Sequence, residues 1–114
     1  MEITTEELKA KMASGDPVTL VDVREPWEWD LCRLEGARHI PMGEIPVRYL
    51  ELDPEEEVVV YCHVGQRSAM VVEYLRRLGF QKAVNLRGGI EAWARQVDPT
   101  LRRYEPAPAR LPYG

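Results

Sequence analysis

Short apolar runs alternate with amphipathic stretches along the first hundred residues, and each predicts an element. Thr4 and Glu7 have capping-box spacing, and Leu8 and Met12 follow at i, i+4, which predicts a helix over roughly residues 4–13. Gly15-Asp16-Pro17 then breaks the chain. VTLVDV (18–23) is apolar on both faces apart from Thr19 and Asp22, the pattern of a strand covered on both sides. Pro26 opens a short helix over about 26–31, because its missing N–H is not needed in a first turn. An extended piece over 37–40 ends at Pro41, and a brief helix around 44–50 carries Ile45, Tyr49 and Leu50. VVVYC (58–62) predicts a second fully buried strand. Ser68 to Leu78 follows as a helix with Val71, Val72, Leu75 and Leu78 in one stripe and Glu73, Arg76 and Arg77 toward water. Arg76 and Arg77 suit its C-terminal dipole, and Gly79 suits the residue after its end. Ala83 to Leu86 is a last short strand, and Gly88-Gly89 leads into a helix with Ile90, Trp93 and Ala94.

This alternation predicts an α/β fold with a mainly parallel sheet. From Asp98 the period dissolves, and four of the nine prolines fall in DPTLRRYEPAPARLPYG. The division is therefore a domain over 1–97 and a Pro-rich extended tail over 98–114. Tyr104 and Tyr113 offer docking points, but a loosely held terminus is the plainer expectation. With 114 residues, 45% hydrophobic and 30% charged, the chain has the size and composition of one globular domain. A net charge of -4 argues against nucleic acid or a polybasic membrane surface as partner. Nothing approaches the roughly twenty apolar residues of a membrane span, and MEITTEELKAKM does not read as a secretory leader. Cys32 and Cys62 sit in unlike contexts, which argues against a disulfide framework and for a reducing cytoplasm. Without an evident apolar interaction stripe, a monomer is the default.

Candidate chemistry centres on Cys62. It ends a buried strand, where open α/β sheets bind ligands, and Cys62-His63-Val64-Gly65-Gln66-Arg67 feeds directly into a helix N-terminus. Gly65 permits backbone conformations that let successive amides converge, and Arg67 adds a permanent cation. Lowering a thiol pKa by about two units takes roughly 2.7 kcal/mol. A helix N-terminus supplies up to about 2 kcal/mol of that, and the arginine and loop amides can supply the rest. No histidine base is then needed, although His63 stands adjacent. The thiolate would be a nucleophile toward an anionic substrate. The rival readings are a buried structural cysteine and a metal site using Cys62, His63, Cys32 and His39, but no CxxC or HxxxH spacing supports a metal.

The loop CHVGQRS, of form C-x-x-G-x-R-S from Cys62 to Ser68, resembles that of single-domain rhodaneses, which are thiosulfate or persulfide sulfurtransferases. Three further segments resemble family signatures in the same order: DVRE (22–25) with Trp27 and Glu28, GARHIP (36–41), and LRGGI (86–90) with Trp93. The resemblance spans about residues 3–96. It implies a five-stranded parallel sheet with helices on both faces, no cofactor, and a persulfide on Cys62 formed from a small sulfur donor. His63, Val64, Gly65, Gln66 and Ser68 would cradle the transferred sulfur, with Arg67 as catalytic partner. A thiol or a sulfur-carrier protein would be the acceptor, cyanide the acceptor in assays. VDPTLRRY resembles the close of sulfur-carrier-activating enzymes, with Arg102 where they have a second proline. Phosphatases and arsenate reductases of this architecture use C-x5-R, whereas Cys62 to Arg67 is C-x4-R, a smaller ring. Many rhodanese-like domains lack the cysteine and act only as binding or regulatory modules; Cys62 and Arg67 are both present here, which leaves a binding module as the lesser alternative.

Around the loop, Asp22 is expected at the same sheet edge as Cys62, binding Arg24 or loop amides. Arg24 is expected either to add positive potential to the mouth or to pair with Glu28. His63 and Gln66 are placed on the loop exterior, and Gly88-Gly89 beneath the loop. His39 and Cys32 are assigned to packing, Cys32 within the short helix. Trp27, Trp29 and Trp93 are assigned to the core or its margin.

Overall fold

The computed structural model describes residues 1–105; residues 106–114, Tyr113 among them, lie outside the described part. Strands β1 (Glu2–Ile3), β2 (Thr19–Asp22), β3 (Arg38–His39), β4 (Val58–Tyr61) and β5 (Ala83–Leu86) alternate with helices α1 (Thr5–Ser14), α2 (Pro26–Leu31), α3 (Ile45–Arg48), α4 (Gln66–Arg77) and α5 (Gly89–Gln96). The sheet order is β1-β5-β4-β2-β3, and every pairing is parallel. The five-stranded α/β architecture is thus the expected one. Strand β1 carries no sequence signal of its own, since two residues are too few for alternation to show; it exists by pairing Glu2 with Asn85 and Ile3 with Leu86.

Period two divides the central strand between two cores. Val58, Val60 and Cys62 face a cluster with Val71, Val72 and Leu75 of α4 and Ile45 of α3. Val59 and Tyr61 face the opposite cluster with Leu8 of α1 and Ile90 and Trp93 of α5. All four β4 residues are fully buried, as a central strand requires. Helix α1 carries the expected capping box, in which Glu7 N–H donates to Thr4 Oγ1 and Thr4 N–H to Glu7 Oε1.

Several expectations need correction. Helix α4 begins at Gln66 rather than Ser68, and Leu78 caps its end, exposed and outside the buried stripe. The segment 44–50 is one α-turn between two 3-10 turns, Met42–Glu44 and Tyr49–Glu51, and Leu50 faces water. Trp27 is exposed, because position two of a helix whose buried residue is Glu28 points away from the core. Cys32 follows α2 as its cap. Val47, Leu50, Met70 and Tyr74 give the α3–α4 side an apolar surface where none was evident. Packing does not stop at residue 97 either: Leu101 and Tyr104 rest on the second core, so this part of the tail is docked rather than loose.

Candidate active site

Residue 62 follows β4 directly, and its side chain continues that strand's period onto the α4 side of the sheet. Gly65 adopts φ +108, a conformation open to glycine, and turns the chain so that its amide points back at the sulfur. Its N–H donates to Cys62 Sγ at 3.1 Å, and the Ser68 N–H and hydroxyl reach the same atom at 3.5 and 3.3 Å. Three donors from the loop and the first turn of α4 therefore converge on one sulfur. The amides of His63, Val64 and Gln66 do not bond it. Asn85, buried on β5, fixes the loop from below: its Nδ2 donates to the Gly65 carbonyl at 3.0 Å, and its Oδ1 lies 2.6 Å from the Ser68 hydroxyl. From the other side, Ile90 and Glu91 N–H groups at the start of α5 donate to the carbonyls of Cys62 and His63, each at 3.0 Å. Gly89 allows that approach, since a Cβ there would lie 2.3 Å from the His63 carbonyl oxygen.

Burial pushes the Cys62 thiol up, but the Ser68 hydroxyl, the amides of Ser68 and Gly65 and, last, the Arg67 charge outweigh it. The net effect holds the thiol below its ordinary value. Cys62 is nevertheless only 1% exposed. The loop folds around its own sulfur, and the chain's last described residues lie across the loop's flank.

Arg67 is not the free cation expected beside the loop. Its two terminal nitrogens each donate to a Glu28 oxygen at 2.8 Å in a bidentate pair. Glu28 also accepts from the Glu25 N–H at 2.9 Å and from the Tyr104 hydroxyl at 2.7 Å. Burial raises its carboxyl, but Arg67 and then the other donors bring it down to about 2. Arg24 is likewise not at the mouth and does not pair with Glu28. It is completely buried, bound by Asp22 at 2.6–3.2 Å, with its Nη2 on the Cys32 carbonyl at 2.6 Å and its Nη1 on the Tyr104 hydroxyl at 2.9 Å. Asp22 is opposite Tyr61 in the sheet, level with the loop, but spends its oxygens on Arg24 rather than on loop amides. His63 is half-buried: Nε2 lies 3.2 Å from Glu91, and the ring stacks on Tyr104 with centroids 3.6 Å apart. Gln66 and Val64 are exposed. His39 stacks on Trp29 and bonds the Arg24 carbonyl. Cys32 packs against the second core, its sulfur 4.0 Å from Arg24 Nη1. Among the described residues no group of three or more His, Cys, Asp or Glu is placed to hold a metal.

The structure adds three residues that sequence reasoning did not place in the site: Glu28, Asn85 and Tyr104. Asn85 had a signal, a polar residue inside AVNL, which a buried strand retains only if its hydrogen bonds are filled. Glu28 and Tyr104 join the site through contacts 39 and 76 residues apart, which no local pattern encodes.

The loop, sheet and helices together define a rhodanese-type domain. The family model for the rhodanese-like domain matches residues 4–96, and the chain belongs to that family. It is 42% identical over 100 residues to a sulfurtransferase of Allochromatium vinosum, covering 88% of this chain and 94% of that one. It is 39% identical over 104 residues to the probable adenylyltransferase/sulfurtransferase MoeZ of Mycobacterium tuberculosis, covering 90% of this chain but 26% of that protein, so it spans about a quarter of that relative's length. A solved rhodanese-like domain protein of Staphylococcus aureus superposes with a TM-score of 0.79 at 40% identity, covering 92% of this chain and 100% of that one.

Proposed function

We propose that this chain is a sulfurtransferase that carries a sulfane sulfur on Cys62, from thiosulfate or a persulfide donor to a thiol or a sulfur-carrier protein. The observation that carries the reading is the convergence of the Gly65 N–H and the Ser68 N–H and hydroxyl on one depressed thiol. In the first step the Cys62 thiolate attacks the outer sulfur of thiosulfate. A sulfur–sulfur bond forms to Cys62, the bond to the sulfonyl sulfur breaks, and sulfite leaves with that electron pair. The cysteine persulfide retains one negative charge on its terminal sulfur. A thiophilic acceptor then attacks that sulfur and regenerates the thiolate, so the kinetics are ping-pong and no external oxidant, metal or cofactor is consumed. The converging donors stabilise the thiolate, and Arg67, which keeps three N–H groups beyond its two bonds to Glu28, offers charge to an incoming anionic donor. The relatives named as sulfurtransferases support this chemistry. A protein acceptor is supported by the likeness to a relative named as both adenylyltransferase and sulfurtransferase. A monomer in a reducing cytoplasm, where Cys62 returns to the free thiolate after each cycle, completes the reading.

Mass spectrometry of the intact protein after thiosulfate treatment tests it. The expected result is a gain of one sulfur that is absent in Cys62→Ser. Phosphate release from an aryl phosphate with no sulfur adduct would instead establish phosphatase chemistry, and neither reaction from a folded protein would establish a binding module.

A further inference from the structure

Beyond Val97 the chain turns back over the active-site loop. Asp98 N–H donates to the Trp93 carbonyl at 2.9 Å, the Asp98 side chain takes the Thr100 N–H, and Leu101 rests on the second core. This path delivers Arg103 and Tyr104 to the loop's flank. Arg103 pairs with Glu91, the same carboxylate that lies against His63. The Tyr104 ring covers the His63 ring and meets Trp27 edge-on with centroids 5.8 Å apart. Its hydroxyl accepts from Arg24 and donates to Glu28, the partner of Arg67. The phenol stays protonated, since burial and the Glu28 carboxylate outweigh the pull of Arg24, so its one hydrogen remains available to Glu28.

We propose that Tyr104 is a specificity-determining residue of the sulfur transfer. Seated between His63, Trp27, Arg24 and Glu28, it restricts access to Cys62 to small reactants, and a macromolecular acceptor must unseat it. The proposal rests on Cys62 being the reactive centre. Two observations meet in it: the strap over 98–104 is latched at both Arg103 and Tyr104, and each latch joins a group touching the loop or Arg67, while the thiol itself is enclosed by its own loop.

The test is the rate at which Cys62 reacts with two reagents that share one reactive group but differ in bulk, N-ethylmaleimide and fluorescein maleimide. Peptide-resolved mass spectrometry separates Cys62 from Cys32. A reagent that reacts only with the open form has a rate proportional to the open fraction, so unlatching a protein that is open a tenth of the time raises that rate about tenfold. We expect Tyr104→Ala to accelerate fluorescein maleimide about tenfold and N-ethylmaleimide by less than about threefold, with Tyr104→Phe, which keeps the ring but loses both hydroxyl bonds, between wild type and Ala. Arg103→Gln, which alters only the outer latch, should move the same ratio in the same direction and serves if Tyr104→Ala does not fold. Equal acceleration of both reagents, or an unchanged ratio in Tyr104→Phe and Arg103→Gln, overturns the proposal. The readout needs no sulfur donor: a persulfide that forms on Cys62 with an unchanged ratio sinks the gate alone, and a shifted ratio without any persulfide sinks the sulfur chemistry alone.

Discussion

Ser68 has one hydroxyl hydrogen and two acceptors within reach, Cys62 Sγ at 3.3 Å and Asn85 Oδ1 at 2.6 Å. A neutral thiol competes poorly for that hydrogen and a charged thiolate competes well, so the hydroxyl favours Asn85 in one state and the sulfur in the other. This differential interaction is what shifts a pKa. Removing the hydroxyl in Ser68→Ala should raise the midpoint of a pH profile of Cys62 alkylation more than replacing Arg67 does, because Ser68 leads the favourable contributions and Arg67 comes last. An equal or larger rise in Arg67→Met would show that charge, not hydrogen bonding, governs the thiol. Arg67 has its own cost of removal. Glu28, with a side chain only 4% exposed, would lose two of its donors, though it keeps Tyr104 and the Glu25 amide. Since Arg67 is itself 35% exposed, Arg67→Ala should lose about 1–2 kcal/mol in denaturant unfolding, below the range for a fully buried pair. Arg67→Ala/Glu28→Gln should recover part of that loss.

At the scale of elements, the loop is held by what lies at the ends of β5 and α5. Gly89 shows how tight the fit is: at φ +62 an alanine is strained, and its Cβ would also meet the Cys62 and His63 carbonyl oxygens at 2.6 and 2.3 Å. Gly15 has a similar φ of +79 with nothing within 4 Å, so Gly15→Ala isolates the conformational part. Gly15→Ala should cost about 1 kcal/mol and Gly89→Ala at least about 2 kcal/mol more, with the alkylation midpoint displaced only in the latter. Equal losses in the two variants would mean that the loop yields freely to α5. This contrast also marks what the sequence makes legible. Residues at a fixed local spacing were readable: the Thr4–Glu7 cap, Pro26 opening α2, the uninterrupted β4, and the Cys62–Gly65–Ser68 turn all follow from neighbours within one turn or strand. The partners of charge were not. Arg24 chooses Asp22, two residues away, over Glu28, four away, because β2 leaves its side chain beneath the tail, and Glu28 turns to α4 instead. Two-residue β1 and the seat of Tyr104 depend on surfaces that exist only after the sheet has formed.

Over the whole molecule, Glu28 is where three separate pieces of chain meet: its own helix through the Glu25 N–H, α4 through Arg67, and the strap through Tyr104. Its carboxyl is held near 2 in the folded protein against an ordinary 4.5. A depressed acid stabilises the fold fully above the unfolded value and loses that contribution as pH falls through the folded one. The window is therefore between about pH 4.5 and 2, and the contribution at stake is up to about 3 kcal/mol. Wild-type stability from denaturant titrations should decline on acidification across that window more steeply than that of Glu28→Gln, which should be weaker at neutral pH and flatter in acid. Because protonating Glu28 loosens Arg67 and Tyr104 together, the fluorescein-to-ethyl maleimide ratio of the wild type should rise as the carboxyl begins to titrate, before global unfolding is detectable by circular dichroism. If strap opening and unfolding instead coincide at every pH, the carboxylate serves only cohesion and the strap has no independent motion through which to admit a partner.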